Sequence, residues 1–494
     1  MNYFVGFNLG STLTGIEKAM INRTNLFKKA GLPAKCVFIK WNRFLNNYYK
    51  KFINKDDIIN MYDFFQEVEN LNETYQFDWI SYWEDQCNYD IEYVPNTNDV
   101  RVYNNGIFII YAHFFNSSHK NIDYINYFDK NRRKVKRELF DVRGFLSCTK
   151  LLTGNQNTVY ESYHNANGEI VIEKYYHAQS DKDTLDLIVL NFDNKNHYFY
   201  QEEELVAYFI ETLFQENDLF FSDKNLYTAP AFNLTSTNIP VVAVLHSTHV
   251  KDSNNVSTSN YKNVYKEIFN NLSRYQAIIA STNEQKLDVS HRVNSEIPVH
   301  NIPVGFTNPI KLANNNINHN KLISVARYSP EKQLDHQLRL IKKLKNSFPN
   351  IELHMYGSGM EKVKLQNLIK EQDLENHVFL RGFLPDLENE FNDAYLSIIT
   401  SNMEGFSLAL LESLAHGVPT ISYNIKYGPK EMINNGENGY LIEKNDEDAL
   451  YEKVKYLLDN PELQHEFSLN SIQVANQFSE DHLIKQWHSF LKTL

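Results

Sequence analysis

The sequence predicts an α/β protein of two doubly wound domains, the first interrupted by an antiparallel β meander. Three observations lead there. Short apolar strands alternate with amphipathic helical stretches at both ends of the chain, the signature of parallel sheets flanked by helices. Between about residues 95 and 202 that rhythm gives way to apolar–polar alternation broken by turn clusters. After a low-complexity stretch, KLANNNINHN at 311–320, the α/β rhythm returns as a second unit. At 494 residues the chain is also too long for one ordinary domain.

In order along the chain, NYFVGFNL reads as a strand and GSTLTG as a loop. A helix follows and stops before Gly31, and KCVFIKW is the next strand. Inside the meander, VRVYNNGIFIIYAHF turns at Asn105-Gly106 and TVYESYHNANGEIVIEKYY at Asn167-Gly168, while LDLIVLNFDNKNHYFYQ turns in its middle. Asn-Gly readily takes the positive φ that tight hairpins require. DLFFSD, IPVVAVLHSTH, AIIAST and HNIPVG then resume the first domain. KLISVARYS, IELHMYGSG, HVFLRGF, AYLSIITS, PTISYN and GYLIEK supply the strands of the second. The end, FSEDHLIKQWHSFLKTL, reads as a last helix with Ser479 as its N-cap. The resulting boundaries are 1–78 with 212–310 for the first domain, 79–211 for the insert and 311–477 for the second domain. Helix 478–494 is expected to return to the first domain.

Composition narrows the function classes. Hydrophobic residues at 42% with 22% charged describe a globular chain. No apolar run reaches about 18 residues, and MNYFVGFNLGSTLTG has no basic region before its apolar stretch, so neither a membrane span nor a signal peptide is expected. Cys36, Cys87 and Cys148 share no metal-ligand spacing and cannot all pair, which suits a reducing cytoplasm. A formal charge of −12 argues against nucleic acid as a partner and confines anionic ligands to locally basic sites.

The stretch EGFSLALLE, 404–412, carries the chemistry. AYLSIITS is a buried strand, and EGFSLALLESLAHG leaves its carboxyl end as a loop that becomes a helix closed by Gly417. Glu404 falls in the loop and Glu412 in the helix. Eight residues rise by about 12 Å, too far for the two carboxylates to share a proton or a metal ion. They suit two ends of one long ligand. Between them the unpaired amides around Phe406, Ser407 and Leu408 form an anion site. A sugar near Glu404, phosphates over the helix start and a ribose near Glu412 describe a nucleotide sugar.

Other residues share that rim. Arg327 and Lys332 of ARYSPEKQ also follow a strand end and would neutralise a diphosphate leaving group. Gly357 and Gly359 of MYGSG allow close backbone approach, and Gly382, Phe383 and Leu384 of RGFL offer backbone to a base edge. In the first domain Thr14 and Gly15 open a helix that would face the phosphates, and His246 and His249 follow the strand VVAVLH. Taken singly, each has an ordinary reading as a solvated charge or a structural side chain; the shared rim is what joins them. Ligands of such sheets sit beyond the carboxyl ends of the strands, here in the expected cleft between domains. No GxGxxG follows the first strand, which counts against a dinucleotide oxidoreductase. Asp181-Lys182-Asp183 offers a metal–diphosphate clamp, but it sits in a hairpin loop of the insert.

At these residues the sequence resembles the retaining glycosyltransferases of the two-domain GT-B fold, in the large family 4. The match comprises Glu404 and Glu412, the Arg327–Lys332 pair, YGSG, and YGPKEMINNGENGYLI at 427–442. It covers the whole second domain. Over nearly the full length, including LTGIEKA, KVKRELFDVRGFLSC and SNMEGFSLALLESLAHGVP, the chain resembles the staphylococcal enzymes that add N-acetylglucosamine to serine–aspartate repeat adhesins. Its meander resembles the add-on domain that this subgroup shares with enzymes of wall teichoic acid.

The resemblance implies a cytoplasmic transferase with UDP-GlcNAc as donor, an acidic Ser-Asp repeat polypeptide as acceptor and no bound metal. It implies that Glu404 holds sugar hydroxyls, Glu412 the ribose, and Arg327 with Lys332 the diphosphate. Gly15 would give a phosphate-binding amide, and His246 would lie beside the transferred sugar. The acceptor is acidic and so is this chain, so a local basic track is expected. Arg132, Arg133, Lys134, Lys136 and Arg137 in NRRKVKRELFDVR are the densest candidates, with a solvated face as the plain alternative. Competing readings are transfer to polyol-phosphate teichoic acid and a catalytically inactive partner of an active enzyme. Inactive partners tend to lose the motif glutamates and the Arg–Lys pair, and all four residues are present here. Whether the chain adds the first sugar or a later one, and whether it forms a homo-oligomer, stay open at this stage.

Overall fold

The computed structural model describes residues 1–71, 75–177, 184–294, 296–308 and 317–494. Residues 311–316 of the linker stretch and Asp181-Lys182-Asp183 lie outside the described residues. The chain divides into two compact units, Met1–Thr24 with Leu32–Val241, and Asn25–Gly31 with Val242–Leu494.

The first unit holds four neighbouring parallel strands, ordered Leu219–Ser222, Asn2–Gly6, Ala34–Phe38, Ile58–Asn60. Helix Gly15–Lys29 follows the first strand and ends just before Gly31, whose φ is +74°. The same unit holds the meander: ten antiparallel strands from Asp90–Tyr93 to Lys195–Phe199, each beside its neighbour in sequence. The turn residues behave as their chemistry dictates. Asn105 and Gly106 have φ of +49° and +75°, and Asp193 and Asn194 +52° and +59°. These are the two positive angles of a tight hairpin turn. At the other hairpin only Gly168, at +84°, is positive, and its amide donates to the Asn165 carbonyl. Period-two burial places Val100, Val102, Ile110, Ala112 and Phe114 in one core around Trp83.

The second unit holds the parallel strands Val241–Val244, Ala277–Ala280 and Val299–Asn301. It also holds a six-stranded parallel sheet ordered Val378–Gly382, Glu352–Tyr356, Lys321–Val325, Leu396–Ile399, Thr420–Tyr423, Gly439–Ile442. In chain order that is 3-2-1-4-5-6. The first and fourth strands are neighbours, so the direction of winding reverses between Lys321–Val325 and Leu396–Ile399. Strands Leu396–Ile399 and Thr420–Tyr423 are buried at every position, as apolar runs covered by helices on both faces must be. Helix Leu334–Leu344 packs Leu338, Ile341 and Leu344 into the core with Leu353, Ile398 and Ile421.

Helix Glu480–Leu491 closes the chain. Trp487 meets Phe27 edge-on at 5.2 Å, Phe490 meets His300 at 4.9 Å, and Lys29 pairs with Glu480. Ser479 occupies the N-cap, but its side chain makes no capping hydrogen bond. Among the described residues no helix is long and apolar enough to cross a membrane.

Candidate active site

Winding reversal leaves a gap at the carboxyl ends of Lys321–Val325 and Leu396–Ile399, because their connections leave in opposite directions. Both loops that carry the sequence-predicted residues start there. After the first strand the chain makes a single turn, Pro330–Lys332, and enters helix Leu334–Leu344 through Gln333 at φ +46°. After the second, Thr400–Ser407 leads into helix Leu408–Ala415. The two loops are laced together. Asn402 N–H donates to Glu331 O at 2.7 Å, and Thr400 Oγ1 donates to the carbonyls of Lys332 and Gln333 at 3.0 Å.

That lacing brings Lys332 Nζ to Glu404 Oε1 at 2.6 Å, with the two side chains 16% and 14% exposed. Ser401 Oγ donates to the same oxygen at 2.7 Å. Among the described residues no donor reaches Glu404 Oε2, and Lys332 keeps two further N–H donors. Arg327 is the outer member of its pair. Its side chain is 71% exposed, and Nη2 donates to Glu331 Oε1 at 2.5 Å. Burial acts to raise the Glu331 carboxyl, but hydrogen bonds, among them those from Ser329 and Arg327, prevail and lower it.

The loop bearing Glu404 is clamped on its backbone. Glu404 N–H donates to Lys426 O at 3.0 Å, and Tyr427 N–H donates to Glu404 O at 2.9 Å. A carboxylate 139 residues away in sequence fixes that clamp: Tyr427 Oη donates to Asp288 Oδ2 at 3.0 Å, and Lys426 Nζ to the same oxygen at 2.5 Å. Tyr427 is 1% exposed, and burial with Asp288 alongside pushes its hydroxyl well above the ordinary tyrosine range. Gly405 is required by packing, since a Cβ there would stand 2.4 Å from the His246 carbonyl oxygen. His246 and Glu404 therefore adjoin through backbone. His246 N–H in turn donates to Tyr265 Oη at 3.0 Å.

Ser407 has φ +72° and makes no side-chain cap. Among the described residues the amides of Phe406, Ser407 and Leu408 meet no acceptor. They are the orphan donors of a helix start, beside Glu404 and ahead of Glu412, which lies half-buried inside the helix. Gly357 and Gly359, at φ +143° and +154°, do make close backbone approaches. A Cβ on either would lie 1.9 Å from Ala326 O or 2.3 Å from Tyr328 O. Their freedom seats the YGSG loop on the Arg327 loop. Gly382, N-terminal to Phe383 and Leu384, has φ +78°, and both of those side chains are exposed.

In the first unit Thr14 and Gly15 open helix Gly15–Lys29 as expected, with no atom near the place a Gly15 Cβ would take. The Thr14 hydroxyl is engaged: it and the Thr14 amide both donate to Glu17 Oε2. The basic track does not act as one patch. Lys136 lies over Tyr127 at 3.9 Å and pairs with Glu138 at 2.8 Å. Arg137, next in sequence, lies over Tyr124 at 4.4 Å. Consecutive strand residues face opposite ways, so Lys136 and Arg137 serve different faces. Burial draws Lys134 and Arg137 below their ordinary basicity. Arg132 and Arg133 are exposed in the turn, where Arg133 holds Asp129 at 3.1 Å. His249 is 0% exposed, and its Nε2 has no hydrogen-bond partner; burial lowers its pKa to about 4.

Sequence reasoning missed Asp288, Ser401 and Lys426. Nothing local marks Asp288, which only the fold brings to the clamp; YGPK was noticed as a motif, without its function as backbone partner of Glu404. Among the described residues no group of three or more His, Cys, Asp or Glu side chains is placed to hold a metal ion.

Two protein families match. Residues 309–474 match glycosyl transferases group 1, and residues 14–381 match an accessory Sec system protein family. The poly(glycerol-phosphate) alpha-glucosyltransferase of Bacillus subtilis is 26% identical over 375 residues, 74% of this chain and 55% of that protein. The GtfA subunit of the UDP-N-acetylglucosamine–peptide N-acetylglucosaminyltransferase of Streptococcus parasanguinis is 24% identical over 514 residues, 100% of this chain and 99% of that one. Among solved structures, the pneumococcal O-GlcNAc transferase GtfA in complex with UDP and GlcNAc superposes with a TM-score of 0.85 at 19% identity, covering 100% of this chain and 98% of that one. The likeness establishes the fold: two parallel sheets and a long antiparallel meander are shared.

Proposed function

Since the chain belongs to the accessory Sec system protein family, whose match spans most of its length, and to the glycosyl transferases group 1 over its second sheet, we propose that it is a UDP-sugar-dependent hexosyltransferase of the GT-B fold. Its donor is UDP-GlcNAc, and its acceptor is the serine of serine–aspartate repeats in cell-wall adhesins. The donor reading leans on the name of the S. parasanguinis relative, which aligns over the whole chain. Three unpaired cysteines are compatible with action in a reducing cytoplasm.

One observation carries the reading: a lysine–glutamate pair at 2.6 Å stands where the sheet's winding reverses, next to three amides that meet no acceptor among the described residues. Chemistry assigns the roles. In transfer, the bond from the sugar's anomeric carbon to the β-phosphate oxygen breaks and the serine Oγ bonds to that carbon on the same face. The serine proton passes to the departing phosphate. Charge accumulates on UDP, so stabilisation belongs at its diphosphate. Lys332, with two N–H groups left after pairing Glu404, Arg327, and the amides of Phe406, Ser407 and Leu408 supply it. Glu404 Oε2 accepts from a sugar hydroxyl while Oε1 stays on Lys332 and Ser401. Glu412 accepts from the ribose, and His246 lies beside the transferred sugar.

A second reading is transfer to a polyol-phosphate wall polymer, favoured by the B. subtilis relative. An inactive partner is disfavoured because Arg327, Lys332, Glu404 and Glu412 are all present. Intact-mass analysis decides among the three. A Ser-Asp repeat fragment and a polyol-phosphate polymer are each incubated with the protein and UDP-GlcNAc or UDP-glucose. N-acetylhexosamine increments on the Ser-Asp fragment are expected. Increments only on the polymer support the second reading, and no increment on either contradicts an active transferase.

A further inference from the structure

Several lysines withdrawn from water among the described residues are matched to carboxylates. Lys321 holds Glu390 and Asp393, Lys174 holds Glu202, Lys332 holds Glu404 and Lys426 holds Asp288. Lys262 is not so matched. It is half-buried, its amide donates to His249 O at 2.9 Å, and its side chain folds back on the preceding loop. There Nζ donates to Thr248 Oγ1 and lies 3.3 Å from Met403 Sδ. Thr248 Oγ1 reaches the same sulfur at 3.4 Å. Among the described residues no carboxylate lies within ion-pair distance of this ammonium.

A hydroxyl and a thioether are poor replacements for the water that an ammonium gives up. Burial lowers the basicity of Lys262, and the Glu331 carboxylate, itself held by Arg327, opposes it. With one N–H on Thr248 and one on Met403, the third N–H donor of Lys262 remains for another partner. Met403 immediately precedes Glu404, so the unmatched cation stands one residue from the carboxylate assigned to the transferred sugar.

We propose that Lys262 is the acceptor-side anion site, its ammonium pairing with the aspartate carboxylate next to the serine that receives the sugar. The inference rests on the acceptor reading above. The donor diphosphate is served by Lys332, Arg327 and the helix start. Lys262 comes instead from the polypeptide after strand Val241–Val244, in the domain read from sequence as acceptor-side. A chain of net charge −12 needs such a local cation to receive an acidic polypeptide.

The test compares wild type, Lys262→Met and Lys262→Arg on a Ser-Asp repeat peptide and on its Ser-Asn counterpart, with UDP affinity measured by calorimetry for each protein. Lys262→Met is expected to raise the KM for the Ser-Asp peptide about tenfold, to leave the KM for Ser-Asn near the wild-type value, and to keep UDP affinity. Lys262→Arg, which preserves charge, is expected to restore most of the loss, and unchanged UDP binding shows that both variants fold. Equal loss on both peptides, or no loss on either, overturns the inference while leaving the transferase reading intact. Weakened UDP binding overturns it in favour of a donor phosphate. Wild type that modifies neither peptide overturns the acceptor reading, and the aspartate partner of Lys262 with it.

Discussion

The six-stranded parallel sheet and the ten-stranded meander use charge in opposite ways. In the parallel sheet the strands are buried on both faces, so polar side chains gather in the loops at their carboxyl ends. There Lys332, Glu404 and three amides converge with hydrogen-bonding capacity to spare. In the meander, charges stand on the strands and are consumed by cross-strand and local partners, as Lys136 is by Glu138 and Tyr127, and Lys150 by Glu161. Lys332 keeps donors to spare at the winding reversal after pairing Glu404, whereas Lys136 on the sheet face is held by Glu138 and lies over Tyr127. Sequence density of charge, which singled out residues 132–137, does not distinguish them.

The sharpest way to break that comparison is to remove the pair. Lys332→Ala and Glu404→Ala are each expected to lower transfer by about a hundredfold or more, on the order of 3 kcal/mol of lost transition-state stabilisation. Single-turnover rates check this, and a wild-type rate in either variant removes the assignment. Asp288→Asn comes next. Asp288 anchors both Tyr427 and Lys426, the backbone partners of Glu404. A drop of about tenfold in kcat with UDP affinity unchanged is expected, since small misplacements of a positioning group cost rate before binding. A parallel loss of UDP affinity would instead mark a general unfolding of the loop.

In the meander the expected effects are small. Arg133→Glu with Lys136→Glu should raise the acceptor KM by no more than about threefold, and only at low salt, because one of the two cations is exposed and the other is already paired. A tenfold change persisting at physiological ionic strength would return the acceptor site to this track. Smallest is the titration of His249. Its pKa is about 4 in the fold against about 6.5 unfolded. Between those values the unfolded chain takes up a proton that the folded one refuses, so this group lowers stability as pH falls through that window. The ring resonances in NMR should hold their neutral positions down to about pH 5; a midpoint near 6.5 contradicts the burial argument.

Much of this was legible in the sequence. All six strands of the second sheet lie within the segments that their apolar runs marked, and the Asn-Gly hairpins turn where they were placed, because period and turn chemistry are local properties. The rim position of Arg327, Lys332, Glu404 and the helix start followed from strand-then-loop order alone. What was hidden is long-range. Asp288 is invisible until helix Asn283–Arg292 meets the 426–427 segment, and the isolation of Lys262 is a statement about carboxylates that are not there. The five cations at 132–137 looked like one patch because sequence carries no record of which face a strand residue takes.

Calorimetry of UDP binding tests most directly whether the donor site lies at the winding reversal of the second sheet. Glu412→Ala removes the proposed ribose acceptor without touching the Lys332–Glu404 pair, and Arg133→Glu serves as the meander control. Glu412→Ala is expected to weaken UDP at least about tenfold, the loss of a charge-assisted hydrogen bond, while Arg133→Glu binds as wild type does. Equal UDP affinity in Glu412→Ala and wild type would contradict the site.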